Sequence, residues 1–276
     1  MIKRAVLCTC AAALLTACQS GPSPLTLVNI AASRDPEAAL RGALKHRTEL
    51  YERDPRVLLA DMRAVKRDLA RLEAFLSGKA SASWGPKEVK LPSRTRYVKY
   101  TQNYRSRAVV DFDAGEITVE TVDRKEPRTS LKNAIVTTLL TPDDPRAVDL
   151  YSDKSIALTS SREPYLLGLV LDHEGRPIDS PARAERFAAH LLRSRSAMRK
   201  VKLREGVTEA MYVKFRMTPN FESSQAKKYR PLVEKYAAQN NVSPSLVYAI
   251  IRTESNFNPF AVRSEEHTSE LQSRHN

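Results

Sequence analysis

Apolar positions recur along this chain in two periods, and the period changes with place. Leu58, Met62, Val65, Leu69, Leu72 and Leu76 alternate spacings of four and three, which lays an apolar stripe along one helix face. Lys66, Arg67, Asp68 and Arg71 fall on the other side. The stripe is expected to pack on the sheet that follows; for a coiled coil it is short. Pro36 after an Asp35 N-cap opens an earlier helix, and Pro55 breaks or begins the long one. Ser77-Gly78 is expected to end it. A loop then runs to Ser93 and carries the single Trp, Trp84, expected as a packing plug rather than a platform for a sugar.

Period two takes over next. Ala108–Phe112 and Ile117–Thr121 flank Asp113-Ala114-Gly115-Glu116 and predict a β-hairpin. Arg128–Leu140 carries Leu131, Ile135 and Leu139 at helical spacing and stops at Thr141-Pro142. Tyr165–Leu171 reads as a mostly buried strand followed by a turn at Asp172-His173-Glu174-Gly175. Ser180-Pro181 caps a helix bearing Phe187, Leu191 and Leu192, and Met211–Met217 alternates as a strand with one wet face. These elements predict an α+β domain over 36–218: a long helix, β-hairpins and further helices. From Pro219 the pattern is helical only, with Tyr229, Leu232, Val233 and Tyr236 on one face. Asn240-Asn241 suits a left-handed helix end with Val242 packing back, and Ser243-Pro244 starts a last helix.

Charge changes the picture modestly. Lys and Arg outnumber Asp and Glu by 45 to 32 in 276 residues, a formal net charge of +13. Such a chain favours polyanions, but the cations are spread out, no nucleic-acid motif accompanies them, and nucleic acid is not expected as a partner. Apolar content of 42% allows an ordinary core. His46, His173, His190, His267 and His275 have no close ligand spacing, so no metal and no cofactor are expected.

The start of the chain specifies a compartment. Met1-Ile2-Lys3-Arg4 is positive, and Ala5–Leu15 is apolar but too short to span a bilayer. Leu15-Thr16-Ala17-Cys18 resembles the bacterial lipoprotein box, which implies a signal peptide over 1–17 and lipid on Cys18. Gln19 stands where an inner-membrane retention signal would place Asp, which points to the periplasmic face of the outer membrane. Residues 18–35 then form a lipidated tether. Cys8, Cys10 and Cys18 all lie in this stretch, so the body has no internal disulfide.

Candidate chemistry sits near the far end. The apolar helical run Leu246–Ile251 leads to Glu254-Ser255, then Asn256-Phe257-Asn258-Pro259. A carboxylate at the end of a buried helix, before a Pro-stopped turn, is one way to hold a general acid at a cleft wall; a solvated helix-end Glu is the plainer reading. Glu254-Ser255-x-Phe257-x-Pro259-x-Ala261 resembles the signature of the soluble-lytic-transglycosylase, goose-lysozyme-like fold. Tyr97–Thr101, Tyr104–Arg107, Asp111–Thr118, Asp143-Asp144-Pro145, Val148–Asp153 and Glu163-Pro164-Tyr165 are similar to the N-terminal domain of the membrane-bound lytic murein transglycosylase C family.

The resemblance implies a peptidoglycan lytic transglycosylase, with glycan strands as partner and Glu254 as both acid and base. It implies that Ser255 positions groups at the substrate, and that Phe257 and Pro259 shape the turn. Residues 219–262 would be the start of an all-α lysozyme-like domain. The family pattern stops at Val262. Arg263 to Gln272, back-translated, resembles a sequencing adapter, so 263–276 is expected to be artefact and the chain as given to lack lytic activity. A non-catalytic lipoprotein module binding glycan or a wall-synthesis partner is the alternative.

Overall fold

The computed structural model describes residues 36–145, 148–154, 156, 163–203 and 206–262. The lipoprotein box with Cys18, the tether, the Asp35 cap and the tail from Arg263 lie outside the described residues. The chain divides into two compact units between Leu72 and Glu73.

In the first unit, α1 (Pro36–Arg53) and the start of α2 (Pro55–Trp84) meet at Asp54. The Asp54 carboxylate accepts from the Arg56 backbone N–H at 3.0 Å, a side-chain cap ahead of Pro55. Asp61 accepts from the Tyr51 hydroxyl at 2.8 Å and pairs with Arg47 at 3.1 Å. The predicted apolar stripe does not form the buried face here. Leu58 and Met62 are exposed, whereas Asp61, Ala64 and Asp68 are buried. Periodicity located the helix, but the face turned inward is the one on which Asp61 meets Arg47 and Tyr51 of α1.

The second unit opens with the last turns of α2, which run through Ser77-Gly78 to Trp84. The helix is therefore longer than expected, because Gly78 is tolerated inside it. Trp84 is fully buried and donates its indole N–H to the Tyr104 carbonyl at 2.6 Å; it is a plug, held at a helix end rather than in a loop. A short 3-10 turn, Pro86–Glu88, follows.

Five antiparallel strands come next: β1 (Arg96–Thr101), β2 (Ser106–Asp111), β3 (Glu116–Thr121), β4 (Ala197–Leu203) and β5 (Gly206–Arg216). Their order is β1-β2-β3-β5-β4. Between β3 and β4 run α3 (Pro127–Leu139) and α4 (Pro181–Ser194), which cover one face. Alternation explains that face: Tyr97, Ala108, Val110, Ile117, Val119, Val213 and Phe215 all point into the main core with Leu131, Ile135, Phe187 and Leu191. On the opposite face Val98, Tyr100, Val201 and Ala210 pack beneath Leu76, Ala80 and Trp84.

That second face also buries a cation. Arg107 is fully enclosed, its guanidinium 3.9 Å from the Trp84 ring centroid. Its Nε donates to Glu120 at 2.8 Å, and Arg199 reaches the other Glu120 oxygen at 2.7 Å. On the first face, beside Tyr97, Lys99 is buried as well, donating to the carbonyls of Asp149 at 2.6 Å and Ser152 at 2.7 Å. Burial pushes its ammonium down to about 8, partly offset by Asp149 and Asp153.

Tyr165–Leu171 is not a strand. Tyr165, Leu166, Leu169 and Val170 are buried, but Leu169 and Val170 donate back to Leu166 and Gly168 takes φ 74°. A short apolar run has no period that separates buried strand from buried turns. Two helices complete the unit, α5 (Phe221–Gln239) and α6 (Pro244–Ser255). Asn241 has φ 52°, and the Val242 N–H returns to Ala237 at 3.0 Å, although the Val242 side chain stays exposed. Antiparallel sheet and helices first, helices alone afterwards, agree with the predicted α+β class.

Candidate active site

Glu254 lies in the last turn of α6, delivered as the sequence predicts. The helix stops because Asn256 adopts the left-handed conformation at φ 45°, and Phe257 follows at φ 60°. Two successive positive φ values are costly for residues with side chains, so the turn must be held from outside. The Asn256 amide donates to the carbonyl of Phe112 at 2.7 Å. The Asn258 amide donates to the carbonyl of Arg94 at 3.0 Å, and its own oxygen accepts from the Phe260 N–H at 3.0 Å. The Val262 N–H reaches the Ser93 carbonyl at 3.2 Å.

Aromatic packing completes the hold. Phe260 enters the core of the α+β domain, 4.8 Å from the Tyr97 ring and 5.1 Å from Tyr165. Phe257 packs on the helical side, near Tyr229 and Tyr248. Gly115, at φ 61°, makes room for the first ring of α5: a Cβ there would lie 2.8 Å from Phe221. The motif is thus clamped between the β2–β3 turn and residues 93–94.

The clamp brings Arg94 to Glu254, with Nη1 and Oε2 3.8 Å apart. Both side chains are partly solvated, 38% and 49% exposed, so the pair contributes orientation more than stability. Ser255 does not face the carboxylate's partner: its hydroxyl donates to the Ile251 carbonyl at 3.1 Å, within its own helix. The expectation of a buried helix is corrected. Leu246 and Ile250 are 54% and 53% exposed, and α6 buries no residue, because α5 alone covers one flank and the described residues supply nothing over the other. A concavity of about 520 Å³ lies along α5 and α6, lined by Arg230, Tyr248, Arg252 and Phe257 among others.

Elsewhere, His173 and His190 stack at 4.2 Å, a juxtaposition their spacing did not suggest. Among the described residues no group of three or more metal-ligating side chains gathers, and no helix is long and apolar enough to cross a membrane. Arg94, Asn256, Asn258 and Phe260 were missed as site residues. The two asparagines beside a helix stop were the available signal.

Residues 62–228 match the family described as membrane-bound lytic murein transglycosylase C, N-terminal domain, and residues 231–269 match the transglycosylase SLT domain. Proteins named membrane-bound lytic murein transglycosylase C from Yersinia pestis (strain Pestoides F), Yersinia pseudotuberculosis serotype O:1b (strain IP 31758) and Yersinia pestis bv. Antiqua (strain Angola) are each 45% identical over 179 residues. That stretch is 65% of this chain and 49% of each relative, so the chain spans about half the length of the curated relatives it matches. With the N-terminal-domain match covering more than half its length, the chain belongs to the membrane-bound lytic murein transglycosylase C family.

Proposed function

We propose that the full-length gene product is a lytic transglycosylase of peptidoglycan, acting in cell-wall turnover, and that residues 1–276 alone lack lytic activity. It cleaves the β-1,4 bond between N-acetylmuramic acid and N-acetylglucosamine and leaves a 1,6-anhydro-muramyl end. The observation that carries this reading is the clamp: Glu254 lies in the last turn of α6, and the turn that follows is locked to the α+β domain through Asn256, Asn258 and Phe260. A general acid needs a fixed position relative to the bond it protonates.

In the proposed reaction Glu254 donates its proton to the glycosidic oxygen. The bond from that oxygen to the muramyl C1 breaks, and N-acetylglucosamine departs with its 4-hydroxyl. The C6 hydroxyl of the same muramyl residue then bonds to C1 and returns its proton to Glu254. Proton and electron-pair balance close without water, so one carboxylate serves where an ordinary glycosidase uses two. Arg94 directs the carboxylate between the two transfers. The lipid on Cys18 holds the enzyme at the periplasmic face of the outer membrane.

A non-catalytic wall-binding module is the second reading, favoured by the exposed apolar side of α6 around Leu246 and Ile250. Digestion of purified murein by the full-length gene product separates the two. Anhydro-muropeptides lost on Glu254→Gln support catalysis; binding without release supports the module.

A further inference from the structure

The open part of the second sheet face carries a concavity that the Glu254 chemistry does not use. It holds about 390 Å³, within the range of roughly 300–1,000 Å³ usual for small-ligand sites. Its floor is Val109, Thr118 and Tyr212, all half-buried, on three neighbouring strands. Charged side chains surround that floor in ion pairs. Lys214 meets Glu116 at 2.8 Å, and Arg199 meets Glu120 at 2.7 Å and Glu88 at 3.0 Å. Arg96, Asp111 and Lys90 complete a rim of four carboxylates and four cations, and the buried Arg107 pairs from beneath with Glu120 at 2.7 Å and Glu88 at 3.8 Å.

In a chain of net charge +13 this patch, whose carboxylates Glu88, Glu116 and Glu120 are all already paired with cations, is informative. A free anion or cation would gain little net Coulomb attraction and would compete with ion pairs already made. A neutral ligand rich in hydroxyl and amide groups faces no such competition. It can donate to the carboxylate oxygens and accept from the guanidinium and ammonium groups at once, while the Tyr212 ring offers an apolar face.

One end of the groove is also tied to the Glu254 turn. Arg96 and Asp111 are register partners at the sheet edge. Arg94, which pairs with Glu254, lies two residues before Arg96; Phe112, whose carbonyl holds Asn256, directly follows Asp111. Two residues span about 7 Å of chain at most.

We propose that this groove is a saccharide site that takes a neutral, N-acetylated segment of a glycan strand. The inference rests on the glycan substrate class proposed above and assigns it a second contact, remote from the reacting bond.

The test uses the full chain and chitohexaose, a neutral N-acetylglucosamine oligomer, followed by amide NMR shifts and calorimetry. The expected result is shifts centred on Val109, Thr118 and Tyr212. Affinity falls roughly tenfold in Tyr212→Ala, is lost in Thr118→Trp, which fills the groove, and is insensitive to salt. Where Tyr212→Ala fails to fold, Thr118→Trp decides. Absent binding, shifts confined to α6 and Arg94, full affinity in Thr118→Trp, or binding abolished by salt would each overturn the assignment. None of those outcomes touches the catalytic reading, which stands or falls on murein cleavage by Glu254→Gln.

Discussion

The Asn256 side-chain amide donates to the backbone carbonyl of Phe112 across 144 residues of chain, at 2.7 Å. Asn256 is also the left-handed residue that ends α6. One side chain therefore both stops the helix that carries Glu254 and fastens it to the β2–β3 turn. Asn256→Gly keeps the backbone freedom and removes only the bond; Asn256→Ala removes both. The expected losses are about 1–2 kcal/mol for Gly and about 1 kcal/mol more for Ala. Urea unfolding measures both, and hydrogen exchange should rise first at residues 254–262.

Phe260 belongs by sequence to the helical segment and by packing to the core around Tyr97 and Tyr165. Phe260→Ala should cost about 3–5 kcal/mol and should lower the melting temperature of the sheet core together with the helices. Independent melting of α5 and α6 in that variant, with the sheet unaffected, would contradict this account.

Arg107 stands fully buried between Trp84 and Glu120. Arg107→Ala leaves Glu120 with Arg199 alone and opens a hole beside the Trp84 ring, so a loss of about 3–5 kcal/mol is expected. Arg107→Lys should recover only part, since one ammonium cannot reproduce the planar contact with both ring and carboxylate. Tryptophan fluorescence reports the change directly because Trp84 is the sole Trp.

Lys99 predicts a pH dependence. Burial lowers its value to about 8 in the folded chain, from 10.5. Between those values the unfolded chain binds more protons than the folded one, so stability rises with pH; below about 8 both forms are charged and this contribution is flat. Tyr97 and Tyr165 act oppositely at higher pH. Burial raises their hydroxyls, so the unfolded chain loses those protons first and stability falls above about pH 10. A stability maximum near pH 9–10 follows, and Lys99→Met should abolish its rising limb in a chemical-denaturation series.

The elements with a clean period were legible in the sequence: the β2–β3 hairpin, α3, α4, β5 and the α5–α6 pair. β1 and β4 were not. β4, Ala197–Leu203, carries Arg199, Lys200 and Lys202 on an edge strand with mostly solvated positions, so no apolar alternation marks it. The placing of Glu254 at the end of α6 was legible because its neighbours form a local pattern. Arg94, Asn256 and Asn258 act through carbonyls and charges far along the chain, and a backbone carbonyl leaves no trace in residue identity.

The most direct measurement is muropeptide mass spectrometry on purified murein treated with the full-length gene product, as wild type and as Glu254→Gln. The wild type should leave 1,6-anhydro-muramyl ends, and the variant at least about a hundredfold fewer. Equal release by Glu254→Gln, or reducing muramyl ends in place of anhydro ends, would contradict a single-carboxylate transglycosylase built on Glu254.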